Sequence, residues 1–459
     1  MSAAGPRAQR PAFHVTAPAG WINDPLGVTW HPTPDGGRYE LFVQHNPDAP
    51  EWAPGCRWAQ LSSPDLVHWR WLGTALSPGP GEDGCWSGSV VVGDDGVPVI
   101  AYTSVRGPDL AAGRVALATG TAGWDRWTHD PGGPVLEPPT EPPMTHFRDP
   151  FLWRSDGGWR MAVGGGRPDG RAVALQYSSA DLRSWHLDGV LADRPTAEDD
   201  PLSTGSVWEC VQFFPLQGRW VLLVSAWETG EPQRMAAAVG SYDGRRFTAH
   251  SWQRFTATDS LYAATTFLDA DGRRCALSWL REPATPGNGW AGMLSVPVVL
   301  TLEGDRLVPA VHPAVDSLRG PLLAALPATA LTRDAVEIGP VEPFLDVVVA
   351  VDPTGGGPVR IAVREQEREV LAVLVDPDLG DVVVFRPHAN EERIPLPASA
   401  SGERVVRLLL DAGIAEIATG TDLGAVRSDA GGGSVSLEVS APRGRAALRA
   451  LTAYGMTRC

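Results

Sequence analysis

Short apolar runs, each about four to eight residues long and closed by Gly, Pro, Asp or Asn, recur between residues 14 and about 305. Examples are RYELFVQHNP (38–47), VVVGDDGVPVIAYTS (90–104), GRVALATG (113–120), GWRMAVGGG (158–166), RAVALQYSS (171–179), GRWVLLVSA (218–226) and RRCALSWL (273–280). This pattern predicts an all-β domain of short strands. Superimposed on it is a repeat. SSPDLVHWRWLG (62–73) returns as SSADLRSWHLDG (178–189), and aligning on the aromatic adds TAGWDRWTHD and GSYDGRRFTAH. The aligned aromatics are Trp69, Trp127, Trp185 and Phe247, at spacings of 58, 58 and 62. Four strands per repeat of this length is the content of a propeller blade, and the segment has room for five blades.

Beyond this region the pattern changes. FLDVVVAVD, VRIAVRE, VLAVLVD, DVVVFRP, RVVRLLLDAGIAEIATG and VSLEVSA alternate apolar and polar residues cleanly, as in antiparallel sheets with one buried face. The expected organisation is a five-bladed β-propeller over 12–305, a linker with a short helix at PAVDSLRG over 306–335, and a β-sandwich of six to eight strands over 336–459. The sandwich has few aromatics and no acidic cluster, so it is expected to pack against the propeller.

Composition narrows the function. The 459 residues are 43% hydrophobic and 20% charged, and contain no apolar run long enough for a transmembrane helix. Formal net charge is -16, with every one of the 38 basic residues an arginine. Such a chain is a poor nucleic-acid ligand, whose binding depends on neutralising phosphates. The five cysteines at 56, 85, 210, 275 and 459 form no CxxC pair, so neither a disulfide framework nor a zinc knuckle is expected. The first residues, MSAAGPRAQRPAF, lack the apolar stretch of a secretory signal, which gives a cytoplasmic expectation.

A second set of positions keeps nearly the blade period: Asp24 in WINDP, Trp86 in CWSGSV, Asp149 in FRDPF, Glu209 in VWECV and Tyr262 in LYAATTF, at spacings of 62, 63, 60 and 53. One such position on the innermost strand of each blade makes three carboxylates converge on the central axis. Acids separated by 125 and 60 residues do not resemble a calcium loop, so no metal and no cofactor is expected. They suit acid/base chemistry at a glycosidic bond, where two carboxyl groups need pKa values driven apart. Glu209, between Trp208 and Cys210, is expected to be desolvated and to hold the proton, while the always-charged Arg148 helps keep a nearby carboxylate ionised. Asp24 and Asp149 both remain candidates for the nucleophile.

HVTAPAGWINDPLG, LFVQHNP, WSGSVV, FRDP, WEC, LYAATTF and LSWLREP, in this order, resemble glycoside hydrolase family 32, which contains invertases, inulinases and levanases. The resemblance covers about residues 12 to 320. It implies a propeller followed by a β-sandwich and a retaining, metal-free mechanism on a terminal β-linked fructosyl unit. By motif match it makes Asp24 the nucleophile, Glu209 the acid/base and Asp149 the transition-state stabiliser. Arg148 is expected to orient Glu209 or the sugar, and Asn23, Gln44, Trp52, Ser87 and Trp279 to line the fructose pocket. Asp259, displaced from the family's acidic position, is expected as a further contact. The implied partner is a neutral fructoside such as sucrose or a short fructo-oligosaccharide, bound by a monomer or a homo-oligomer. The alternatives are a fructosyltransferase sharing the covalent intermediate and a non-catalytic sugar-binding propeller. Two departures stand out: NDPLG where the family has NDPNG, placing Leu26, and ECVQ where it has ECPD, placing Val211 and Gln212. Both are expected to alter the leaving-group subsite.

Overall fold

The computed structural model describes residues 10–458 apart from 34–35, 108–109, 197–201, 229–230, 282–287, 399–401 and 429. Residues 1–9, the start of the stretch read for a signal, and Cys459 therefore lie outside the described residues. Each group of apolar runs folds into an antiparallel sheet, because a strand with buried residues on both faces needs neighbours along both edges and a packed layer on either side. Five such sheets follow one another between residues 20 and 311, and their first strands are Gly20–His31, Gly84–Val92, His146–Ser155, Val207–Leu216 and Leu261–Leu268. These are the five blades of a propeller, with the first strand of each innermost.

The repeated aromatics open the outermost strands of blades one to four: Trp69 precedes Arg70–Leu76, Trp127 begins Trp127–His129, Trp185 precedes His186–Pro195 and Phe247 begins Phe247–Arg254. The Ser-x-Asp-Leu repeat is one turn made twice. Ser63 and Ser179 accept the N–H of Asp65 and Asp181, Leu66 and Leu182 take positive φ of 74° and 65°, and the Trp69 and Trp185 indoles each donate to the leucine carbonyl at 2.8 Å. A propeller must also close. Trp290–Ala291, from blade five, runs parallel to the inner strand of blade one, pairing Gly20 with Trp290 and Trp21 with Ala291. Gly292 at φ 77° makes this approach possible, since a Cβ there would lie 1.8 Å from the Ile22 carbonyl oxygen.

The segment expected as a linker is mostly strand. Arg306–Val311 pairs with Val298–Glu303 as the outer strand of blade five, because its apolar residues Leu307 and Val308 are needed to cover that blade. The expected short helix is a 3-10 turn, Pro313–Leu318. Arg319–Leu326 and Thr329–Leu331 already belong to the sandwich, both pairing with the final strand Ala446–Met456. The sandwich is larger than expected, a seven-stranded sheet facing a six-stranded one. Its core is almost purely aliphatic, including Val347, Val349, Ile361, Val373, Leu408 and Leu437.

An N-terminal arm binds the two domains together. Asp411 of the sandwich accepts the backbone N–H groups of Ala12, Phe13 and His14 at 2.6, 2.9 and 2.9 Å. The buried His14 ring lies between two carboxylates, with Nδ1 2.8 Å from Asp411 and Nε2 2.9 Å from Glu416. Glu416 also accepts the N–H of Val296 in the propeller at 2.9 Å. Burial alone would lower the His14 pKa, but the two carboxylate hydrogen bonds and their charges raise it from 6.5 to about 9. Both ring nitrogens therefore donate and the ring is an imidazolium.

Because His14 holds its proton more tightly folded than unfolded, its contribution is complete below about pH 6.5 and is lost as the pH rises to about 9. Thermal denaturation between pH 6 and 9.5 should show the melting temperature of the wild type falling more steeply than that of His14→Ala. At pH 6 the variant should be less stable by about 3–5 kcal/mol, the cost of leaving buried carboxylates without their cation.

Candidate active site

All five inner strands break their ladder at the same depth. Between Ile22 and Pro25, Trp86 and Gly88, Arg148 and Phe151, Glu209 and Gln212, and Tyr262 and Thr265, the inner strand carries one more residue than its partner. Such a bulge bends the strand and turns a side chain out of the ladder, here toward the axis. In blades three, four and five the extra residue is left-handed, with φ of 61° at Asp149, 46° at Cys210 and 51° at Ala263. Arg148, Glu209 and Tyr262 are thus equivalent positions, and Asp149 stands one residue beyond them. The periodicity in the sequence had aligned Asp149 with Glu209; the bulge register shifts it by one.

Asp24 sits in a directional hydrogen-bond network. Gln44 Nε2 donates to Ser87 Oγ at 3.3 Å, leaving the Ser87 proton for Asp24 Oδ2 at 2.5 Å. Asn23 Nδ2 donates both to Gln44 Oε1 at 2.8 Å and to Asp24 Oδ1 at 3.1 Å. The Cys210 thiol, its pKa pushed up by burial and the surrounding acids, stays protonated and donates to Asp24 at 3.5 Å. Every neighbour presents a hydrogen, which favours the carboxylate. Against this, burial pushes the Asp24 pKa up from 3.8 to about 7; Ser87 and Cys210 pull it down, while Asp149 and Glu209 push it further up. The donors oppose a desolvation they do not fully offset.

Asp149 accepts the N–H of Cys210 on Oδ2 at 2.9 Å. The Thr103 hydroxyl accepts the Asp149 N–H at 2.7 Å and donates to the Ser87 carbonyl at 2.9 Å, with Asp149 Oδ1 a longer, second acceptor at 3.5 Å. Burial raises the Asp149 pKa, opposed by the Arg148 charge and the Cys210 hydrogen bonds. Arg148 itself donates to Glu209 Oε1 at 3.0 Å and lies 5.2 Å over the Trp86 ring. The Tyr262 hydroxyl is 2.9 Å from Glu209 Oε2 and 3.0 Å from the Ala226 carbonyl. One phenolic proton serves only one of two acceptors. The conflict disappears when Glu209 carries a proton on Oε2, donates it to Tyr262 and leaves the phenol free for Ala226. Burial, the first cause of the raised Glu209 pKa, works in the same direction, against the charge of Arg148.

Asp24, Arg148, Asp149, Glu209 and Tyr262 line one cavity of about 640 Å³, together with Asn23, Gln44, Trp52, Ser87, Trp86, Trp21 and Trp279. Trp52 stands 46% exposed at the mouth with its ring edge-on to Trp86 at 5.7 Å, while Trp279 packs against Trp21 at 5.6 Å. The indole nitrogens of Trp21 and Trp279 and the Asn23 Oδ1, all on residues of this lining, are buried without a protein partner. Trp58, Trp208 and Trp290, which flank the motifs in sequence, lie outside this lining; Trp58 and Trp208 are fully buried packing residues.

Two expectations fail here. Asp259 does not reach the cavity: its carboxylate turns outward to Arg254 at 2.5 Å, because it precedes the inner strand of blade five on an exposed turn. The departures at Leu26, Val211 and Gln212 are not part of the cavity lining. Leu26 is buried with Phe42, Trp58 and Tyr102 between blades one and two, and Val211 with Trp208 and Phe213 between blades three and four. Gln212 Oε1 accepts from the Thr266 N–H at 2.8 Å, joining blade four to blade five. Conversely, Thr103, Leu110, Ala111, His146, Trp227, Glu231 and Pro232 escaped the sequence reading. His146, two residues before Arg148 on one strand face, was recoverable from alternation; the others sit on neighbouring strands and loops with no local signal.

Among the described residues, Asp269, Cys275 and His312 also converge as metal ligands would. Their lone pairs are engaged. Arg273 donates to Asp269 at 2.6 Å, His312 Nδ1 accepts the Ala314 N–H so that Nε2 donates to Asp269 at 3.1 Å, and burial pushes the Cys275 thiol up to about 12.

Residues 14–310 match the family model for the N-terminal domain of glycosyl hydrolases family 32. The chain belongs to this family. Family 32 relatives include the sucrose-6-phosphate hydrolase of Escherichia coli, 34% identical over 67% of this chain and 66% of that protein. The raffinose invertase of Escherichia coli is 33% identical over the same shares, 67% and 66%. The chain thus spans just under two thirds of the length of these relatives. Among solved structures, a variant of a Bombyx mori family 32 β-fructofuranosidase, in complex with sucrose, superposes with a TM-score of 0.83 at 25% identity, covering 98% of this chain and 94% of that one. Fructan 1-exohydrolase IIa from Cichorium intybus shares the fold, with a TM-score of 0.82, 23% identity and 98% of each chain covered. The whole of the propeller and sandwich is therefore the fold of family 32.

Removing single members of the cluster should move the Asp24 pKa in opposite directions. Ser87→Ala deletes its shortest donor and should raise it above about 7, whereas Asp149→Asn deletes a neighbouring negative charge and should lower it. Carbon-13 NMR titration of aspartate-labelled protein, with Asp24→Asn to assign the resonance, reads both shifts.

Proposed function

We propose that the protein is a retaining β-fructosidase that releases terminal β-linked fructose from sucrose or short fructo-oligosaccharides. The observation that carries this reading is the trio Asp24, Asp149 and Glu209, brought from three blades into one cavity with different hydrogen-bond shells. In this reading Asp24, surrounded by donors, attacks the anomeric carbon. Glu209 gives its proton to the departing glycosidic oxygen and then, ionised and paired with Arg148, takes a proton from the water that hydrolyses the fructosyl-enzyme ester. The Arg148 charge, which lowers the Glu209 pKa, helps the acid release its proton once the bond begins to break. Asp149, whose Oδ1 meets the Thr103 hydroxyl at the long distance of 3.5 Å, accepts hydroxyls of the fructosyl ring and opposes the positive charge developing on it. Trp21, Trp86 and Trp279 supply apolar faces. The names of the relatives, a sucrose-6-phosphate hydrolase, an invertase and a β-fructofuranosidase, support the same reaction class.

Free fructose released from sucrose and from inulin-type and levan-type oligosaccharides tests the proposal. Wild type should release it; Asp24→Asn should lose at least about 10³-fold in kcat while keeping its circular dichroism, and a folded, fully active variant refutes the nucleophile. Glu209→Gln should retain activity mainly on an aryl fructoside whose leaving group needs no proton. Equal losses on aryl and alkyl leaving groups would remove Glu209 from the acid role. Product analysis at high sucrose separates hydrolysis from transfer to a second sugar.

A further inference from the structure

The same cavity carries a charge pattern that bears on which leaving group it admits. Four carboxyl groups line it: the three buried acids, which share their charge with the proton on Glu209, and Glu231, which stands exposed on the rim at the start of Glu231–Tyr242. Arg148 is the one arginine among the described lining residues, and its Nη1 is held by Glu209. Arg281 lies nearby but is not part of the lining. It is 5.3 Å from the Tyr262 ring, and its guanidinium donates to the carbonyls of Asp259, Pro232 and Gln233. His146, the other lining group able to take a positive charge, packs against Trp227 at 4.9 Å. Lysine is absent from the sequence, so every further cation would have to be an arginine.

A phosphate monoester above its second pKa, near 6, is a dianion, and it binds where arginine forks, lysines or clustered N–H groups await it. Here it would enter a cavity whose ionisable lining is mainly acidic, beside the apolar side chains of Leu110, Trp52, Trp227 and Pro232. From this we infer that the leaving-group side accepts neutral sugars and rejects phosphorylated ones, with Glu231 as a specificity-determining residue. The inference rests on the fructosidase reading and goes further, separating sucrose from sucrose 6-phosphate, whose phosphate is on the departing glucose. Repulsion acts on ground state and transition state alike, so it appears in KM and kcat/KM more than in kcat.

The test compares kcat/KM for sucrose and sucrose 6-phosphate at pH 7.5, where an ordinary imidazole is neutral, at low and at high salt. Sucrose should be favoured by at least about tenfold at low salt, with the gap narrowing as salt screens the rim. Glu231→Gln should narrow the low-salt gap by at least about threefold, and an unchanged gap would remove Glu231 from the role. Equal or better turnover of the phosphorylated sugar overturns the inference. Calorimetric binding of both sugars to Glu209→Gln runs alongside. If wild type cleaves neither sugar, the fructosidase reading fails, yet tighter binding of sucrose would still uphold the selectivity and equal binding would refute it.

Discussion

The site depends on one backbone constraint, the extra residue in each inner strand at a common depth of the propeller. A regular ladder turns alternate side chains into the two neighbouring blades, and the inner strands are buried on both faces. The bulge releases one or two residues per blade from that duty and aims them along the axis. Arg148, Glu209 and Tyr262 occupy the same step of this device in consecutive blades, and they touch one another for that reason. Asp149 and Cys210 occupy the next step, where the left-handed backbone brings the Cys210 N–H onto the Asp149 carboxylate. Function here is carried by a repeated irregularity.

The electrostatics follow from that convergence. Three acids brought together away from water cannot all ionise cheaply, so burial raises all three pKa values. What differentiates them is the placement of donors. Asp24 receives a hydroxyl, an amide and a thiol; Asp149 receives a backbone N–H; Glu209 receives a guanidinium on one oxygen and meets a phenol already claimed by a carbonyl on the other. A proton resident on Glu209 resolves the last of these conflicts and relieves the repulsion on Asp24. The proposed acid and the proposed nucleophile are thus distinguished by their neighbours, since residue type alone gives three similar carboxyl groups.

The sandwich contributes at a distance. Its Asp411 and Glu416 hold the N-terminal arm through His14, and that arm in turn pairs with blade five, Leu294 donating to Val15 at 3.0 Å beside the strand that closes the ring. The interface is continued by Thr258, which exchanges hydrogen bonds with Ala425 at 3.0 and 2.9 Å, and by the Arg306–Asp422 pair at 2.5 Å. Docking the second domain therefore bears on closure of the first, and so on the register of the inner strand that carries Asp24.

By itself the sequence determined the blade period, because aromatic turns at regular spacing are local chemistry, and it determined which acids stand on inner strands, because WINDP, FRDP and WEC keep that period. It also determined the alternating sandwich, though the strands hidden in the apparent linker escaped, their few apolar residues gaining meaning only against a blade or a distant C-terminal strand. Tertiary structure alone decided the partners. Arg148 reaches Glu209 although Asp149 is its neighbour in sequence, Asp259 turns outward, and Leu26, Val211 and Gln212 become packing between blades. A one-residue bulge reverses which way a side chain points, and a linear pattern with a period of two carries no record of where that bulge falls.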